Sequence, residues 1–380
     1  MSGVSRRGFL VGAGMAPFAL GSATNGDLAP QELSAKEKIA IERLAIAFLE
    51  KYDAPGLSVA FAKDGRIVYS GAFGLADSDH DTPLTARHRF RVASVSKPIT
   101  SVTIMRLLEE GKLSLADRVF GTGGILGRTF GAQPYGAHVE EITLEHLLTH
   151  TAGGWGNGGP DPDPMFSNRR MNHSELISWT LDTIPIRNKP GEKFAYSNFG
   201  YCVLGRVIEK LTGVSYADAV RAKVLHPCGI NSMEIAGDRL EDRKPMEVVY
   251  SGQEGEDPYR MKVARMDAHG GWIATASDLV RFLLRVDGYP TVPDILKPET
   301  VTVMSTTSAA NIGYAKGWMV NKQDNRWHNG SLPGTATVIV RTSGGLCWAG
   351  LTNTRRPRSK IDLDLDRLMW KMLGEMKNEK

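Results

Sequence analysis

Segments that read as β-strands stand at both ends of this chain, and segments that read as helices fill the middle. Leu57 to Ala62 and Ile67 to Phe73 are apolar runs joined across Asp64-Gly65. That dipeptide suits a two-residue hairpin, because glycine accepts a positive φ. Near the other end, Trp318 to Asn321, Trp327 to Gly330, Thr335 to Thr342 and Leu346 to Asn353 read as strands, with Gly344-Gly345 turning between the last two. Between these groups the stretch from roughly 112 to 265 is helical and loop-rich. The pattern predicts one sheet assembled from the two termini, with a helical region inserted. It fits an α/β (α+β) sandwich better than a regular βαβ repeat.

The helices are marked by apolar spacing and by their ends. Ser34 to Lys51 carries an amphipathic pattern. A second helix is expected from near Ser94 to Gly111, where glycine suits the left-handed position after the last turn. Thr143 to Thr149 reads as a short helix, and another ends at Gly213. Ser277 is expected to cap a helix from Asp278 to Val286, and Ile361 to about Met376 closes the chain.

With 380 residues, 42% of them hydrophobic, the chain has ample material for a large core. The net charge of +4 comes from scattered basic residues, so nucleic acid is a poor candidate partner. Cys202, Cys228 and Cys347 are too widely spaced for a metal cluster and odd in number, and read as buried free thiols. The first 26 residues contain no acid; Ser5-Arg6-Arg7-Gly8-Phe9-Leu10 precedes a modestly apolar run to Leu20 and the small residues Gly21-Ser22-Ala23. This has the form of a twin-arginine export signal over residues 1–23. It implies a mature chain of 24–380, exported to the periplasm or the medium. The run is too short to span a bilayer, and no other stretch is long enough.

Three short motifs carry chemistry. Ser94-Val95-Ser96-Lys97 is the only S-x-x-K. On a helix the serine and lysine lie one turn apart on one face. A lysine kept neutral by burial can accept the serine proton. Pro98 is tolerable there only in a first turn. In isolation such a motif more often marks a serine cap with a solvated lysine. Tyr196-Ser197-Asn198 is the only Y-x-N, after Pro190-Gly191 and before a helix. Its phenol can relay a proton, and its amide can hold both the lysine and a substrate carbonyl. His328-Asn329-Gly330-Ser331 stands between strand-like segments, where glycine lets a substrate approach the backbone. The other H-x-G, at His269, precedes a helix cap and reads as structural. The loop from Gly153 to Met165, with Trp155, is expected to shape the cleft.

In order and spacing, the sequence resembles the serine β-lactamase and DD-peptidase superfamily, closest to its class C, D-aminopeptidase, esterase and carboxypeptidase branch. Pro55-Gly56, His146 to Thr151, Gly270-Gly271 and Gly317-Trp318 add to the likeness. The resemblance implies a single catalytic domain over 24–380, an antiparallel sheet flanked by helices with an inserted all-helical region. It implies acyl transfer through an ester on Ser94, with Lys97 and Tyr196 handling the proton. Asn198, His328, Gly330 and Ser331 would bind substrate, a small molecule or peptide. The backbone N–H groups of Ser94 and Ser331 would form the oxyanion hole. No metal and no cofactor is required. Many relatives carry lysine where His328 stands, and a neutral imidazole grips carboxylate less strongly than an ammonium. Esters or D-amino-acid amides are therefore expected to be better substrates than β-lactams. A β-lactamase, an acyltransferase and an inactive binding or scaffold protein are the alternatives. The nucleophile-elbow pattern G-x-S-x-G is absent, which disfavours the α/β-hydrolase class.

Overall fold

The computed structural model describes residues 33–157 and 162–376. The expected export signal lies outside them. Among the described residues no helix is long and apolar enough to cross a membrane.

The main sheet has seven antiparallel strands: β1 (Gly56–Lys63), β2 (Arg66–Asp77), β3 (Thr82–Pro83), β4 (Met319–Val320), β5 (Arg326–Leu332), β6 (Thr335–Arg341) and β7 (Leu346–Thr352). Their spatial order is β3-β2-β1-β7-β6-β5-β4. The two ends of the chain meet at its centre, where β1 pairs β7 from Leu57↔Thr352 to Lys63↔Leu346. Asp64 and Gly65 both hold positive φ, at 50° and 77°, which is what a two-residue turn matching the strand twist needs.

Side-chain alternation on β1 separates two cores. Val59 and Phe61 face helices α1 (Ala35–Tyr52) and α5 (Ile361–Glu375), packing with Phe48, Trp348 and Met369. Ala60 and Ala62 face the larger core, which includes residues of α2 (Ser96–Glu109), α3 (Asn198–Thr212) and α4 (Ala276–Leu283). Ser34 caps α1 reciprocally with Glu37, an arrangement of the kind that contributes about 1 kcal/mol.

Three expectations need correction. The cap of α4 is Thr275, whose side chain accepts the Asp278 N–H; Ser277 instead bonds Ser70. The insert is not all helical. It lends Glu234–Ile235 to a three-stranded sheet with Phe90–Arg91 and Trp272–Ala274, and Ser251–Gly252 to a pair with Thr354–Arg355. Strands of two residues carry no alternation to read. Trp155 is a core residue: it is buried, its indole donates to the Ile184 carbonyl, and it packs on Phe120 and Phe199. The three cysteines are free and buried.

Candidate active site

Ser94 sits in a single 3-10 turn, Ala93–Val95, that runs directly into α2. Ala93 is held at φ 48°, a left-handed conformation that costs a non-glycine residue roughly 1–2 kcal/mol. The sheet imposes it. Thr335 and Thr337 on β6 donate to the carbonyls of Arg91 and Val92, both at 3.0 Å, and seat this segment on the strand. Ser94 remains partly exposed while its neighbours Ala93 and Val95 are buried. Ser96, the other serine of the motif, is fully buried and accepts the Trp272 N–H.

Lys97, one turn on, is fully buried. Its Nζ lies 3.2 Å from Ser94 Oγ, 2.7 Å from Asn198 Oδ1 and 3.0 Å from the His269 carbonyl. Burial lowers its pKa to about 7, with Asp163 opposing the shift. The two carbonyl oxygens can only accept. A neutral amine therefore spends its two hydrogens on Asn198 and His269 and turns its lone pair to the Ser94 hydroxyl. His269 thus contributes through its backbone, a role no side-chain pattern could show.

Tyr196 reaches the same oxygen from the loop before α3. Burial pushes its phenol well up, against a hydrogen bond with Ser94, so it stays protonated. His150 clamps this loop: its carbonyl accepts the Ala195 N–H at 2.8 Å and its Nδ1 accepts the Ser197 N–H at 3.1 Å. Its ring lies 4.4 Å from that of Tyr196. Ser197 caps α3, and Asn198 opens it.

His328 on β5 is buried, and its partners fix its tautomer. The Asn329 carbonyl, 2.7 Å from Nδ1, can only accept, so Nδ1 carries the proton. Nε2 then accepts from the Tyr314 hydroxyl at 3.1 Å. Burial and the nearby Lys97 lower its pKa to about 3. His328 therefore meets Tyr314, a residue the sequence did not single out.

The cleft beside Ser94 has about 300 Å³ of free space. Asn157, Phe166, Met266, Met319, Leu332 and Ser331 are among its walls, with Tyr196, Asn198 and His328. The side-chain direction of Gly330 points at the serine-bearing segment. A Cβ there would stand 2.2 Å from the Val92 carbonyl and 2.3 Å from Thr337 Oγ1. Its small size lets β5 lie against the serine-bearing segment. Ser331 Oγ accepts from Arg355, which is itself paired with Glu256.

The sequence profile of the β-lactamase family matches residues 41–368. The chain belongs to the β-lactamase family. Among curated relatives, it is 27% identical over 317 residues to penicillin-binding protein 4* of Bacillus subtilis, covering 77% of this chain and 66% of that one. Protein flp of Staphylococcus aureus is 23% identical over 300 residues, covering 77% of this chain and 58% of that one. The chain thus spans less than two thirds of the length of these relatives. Among solved structures, the octameric penicillin-binding protein homologue from Pyrococcus abyssi superimposes with a TM-score of 0.69 at 26% identity, covering 87% of this chain and 77% of that one. The D-amino acid amidase from Ochrobactrum anthropi SV3 shares the fold of this β-lactamase-family chain, with a TM-score of 0.72 at 20% identity over 90% of this chain and 99% of that one. So does EstCE1, described as a hydrolase with promiscuous acyltransferase activity, with a TM-score of 0.68 at 21% identity over 88% and 98%.

Proposed function

We propose that this β-lactamase-family chain is a serine hydrolase that cleaves esters or amides lacking a carboxylate through a covalent ester on Ser94. The observation that carries this reading is the hydrogen-bond set of Lys97, which leaves a neutral amine one free lone pair, 3.2 Å from the serine oxygen. Ser94 Oγ attacks the carbonyl carbon, and Lys97 takes its proton. The carbonyl oxygen gains charge toward the N–H groups of Ser94 and Ser331, each donor of this kind contributing about 3–4 kcal/mol. Tyr196, protonated and in contact with Ser94, relays the proton to the leaving group as the bond to it breaks. Water then enters by the reverse route and frees Ser94.

Preference for substrates without a carboxylate follows from the cleft. His328 has spent its N–H on Asn329, and its other nitrogen is an acceptor, so the ring offers no donor to a carboxylate. The walls at Phe166, Met266, Met319 and Leu332 favour an apolar acyl group. The test is a comparison of kcat/KM across short p-nitrophenyl esters, D-amino-acid amides and nitrocefin. Esters or amides leading supports the reading. A nitrocefin value near the diffusional range of about 10⁷–10⁸ M⁻¹s⁻¹ overturns it.

A further inference from the structure

Asp163 is a buried carboxylate that the mechanism above does not use. It lies in the loop before the turn Pro164–Phe166, and only 3% of its surface is exposed. A carboxylate so buried is costly unless it is bonded. One oxygen accepts the Met165 N–H at 3.0 Å. The other accepts the backbone N–H of Asn198 at 2.6 Å, at the start of α3. The Asn198 side chain bonds it as well. Toward a carboxylate an amide can present only its NH2 end. That leaves the amide oxygen on the side of Lys97, where it takes Nζ at 2.7 Å.

We infer that Asp163 is a positioning residue for the serine chemistry: it turns the Asn198 amide so that its oxygen holds Lys97, and it places a negative charge beside that lysine. The inference rests on the serine-hydrolase reading.

The other groups facing Lys97 bring no charge. His150, after the helix Leu144–Leu148, His269, in Asp267–Gly270, and His328, on β5, are all driven to the neutral form by burial first and by Lys97 second. Tyr196 and Tyr201 present their rings to Nζ and are held protonated by burial. Asp163 in turn feels Lys97, and its charge helps to keep Tyr196 and Cys202 protonated. Burial raises it to about 6, and Lys97 is among the groups that pull it back. The charge acts on the lysine in one direction. An anion favours the ammonium form, so removing it lowers the lysine pKa. More of the lysine is then neutral over the pH range between about 6 and about 7, where Asp163 of the parent chain is ionised.

A carboxylate that merely capped the turn and the helix would not move a titration. The experiment is therefore the pH dependence of kcat/KM for p-nitrophenyl acetate, from about pH 5 to about pH 10, in the full chain and in Asp163→Asn. The acid limb is expected to shift down by about 0.5–1 unit while the plateau drops about tenfold, as the amide loses its fixed orientation. Asp163→Ser removes the same charge while keeping a capping oxygen, and gives the same readout where the asparagine variant does not fold. Asp163→Glu is expected to bring the limb back toward the parent position. An acid limb that stays in place, or moves up, in a folded charge-free variant overturns the inference. Labelling by a fluorophosphonate separates the two claims. A parent chain that fails to label at Ser94 overturns the hydrolase reading, whereas normal labelling with an unmoved limb overturns only the role of Asp163.

Discussion

The hydroxyl of Tyr314 donates to Nε2 of His328 at 3.1 Å, and this contact makes the histidine of the third motif a neutral acceptor. The other nitrogen is committed to the Asn329 carbonyl. A ring held this way inside the protein pays to gain a proton, and Lys97 nearby adds repulsion. Nitrogen NMR of the His328 ring is expected to show a proton on Nδ1 and no titration between about pH 8 and about pH 5. A midpoint near the ordinary histidine value would show that the site can present a cation to an anionic substrate.

The pH dependence of the reaction has a fixed sign. Lys97 must be neutral to accept the Ser94 proton, and burial brings its pKa to about 7. Activity on a neutral ester should therefore rise as pH is raised through about 7, by close to tenfold per unit on the acid side. A kcat/KM profile for p-nitrophenyl acetate checks this. A flat profile well below neutrality would mean that another group is the base.

Gly330 offers a steric test of how the nucleophile is seated. Gly330→Ala drives a methyl group into the Val92 carbonyl and Thr337 Oγ1. Overpacking of this kind costs about 1–3 kcal/mol, and here the segment that must yield carries Ser94. The expected outcome is a lower melting temperature together with slower fluorophosphonate labelling. Parent-like labelling would indicate that β5 moves instead of the turn.

We also propose that residues 1–23 direct export by the twin-arginine route, on the strength of Ser5 to Leu10. Replacing Arg6 and Arg7 with lysine is expected to retain the protein in the cytoplasm on cell fractionation. Unchanged export would remove that reading.

Much of this architecture was legible because its signals are local and periodic. The Asp64-Gly65 turn, the long strands at both ends and the helix that stops before Gly213 each follow from side-chain spacing and backbone freedom. Ser94, Lys97, Tyr196 and Asn198 could be picked out as candidates because each motif is unique in the chain, and the fold brings the four together. Asp163 was hidden because it stands in a Gly/Pro/Asp loop, where an acid is ordinary and its partner Asn198 is 35 residues away. Tyr314 reads as one more apolar aromatic until β5 brings His328 against it. At Gly330 a sequence shows that a close approach is possible but not what approaches; in the fold it is the Val92 carbonyl and Thr337.

The central claim is that Ser94 forms the covalent intermediate, with Lys97 as its base and Tyr196 as its proton relay. The most direct measurement is mass spectrometry of the chain after reaction with a slow ester or a fluorophosphonate, with fragmentation of the peptide that holds both Ser94 and Ser96. The adduct is expected on Ser94, the partly exposed member of the pair, and Ser94→Ala should lose both the adduct and about 10⁴–10⁶ in kcat. An adduct on Ser96, or full activity in Ser94→Ala, would contradict the account.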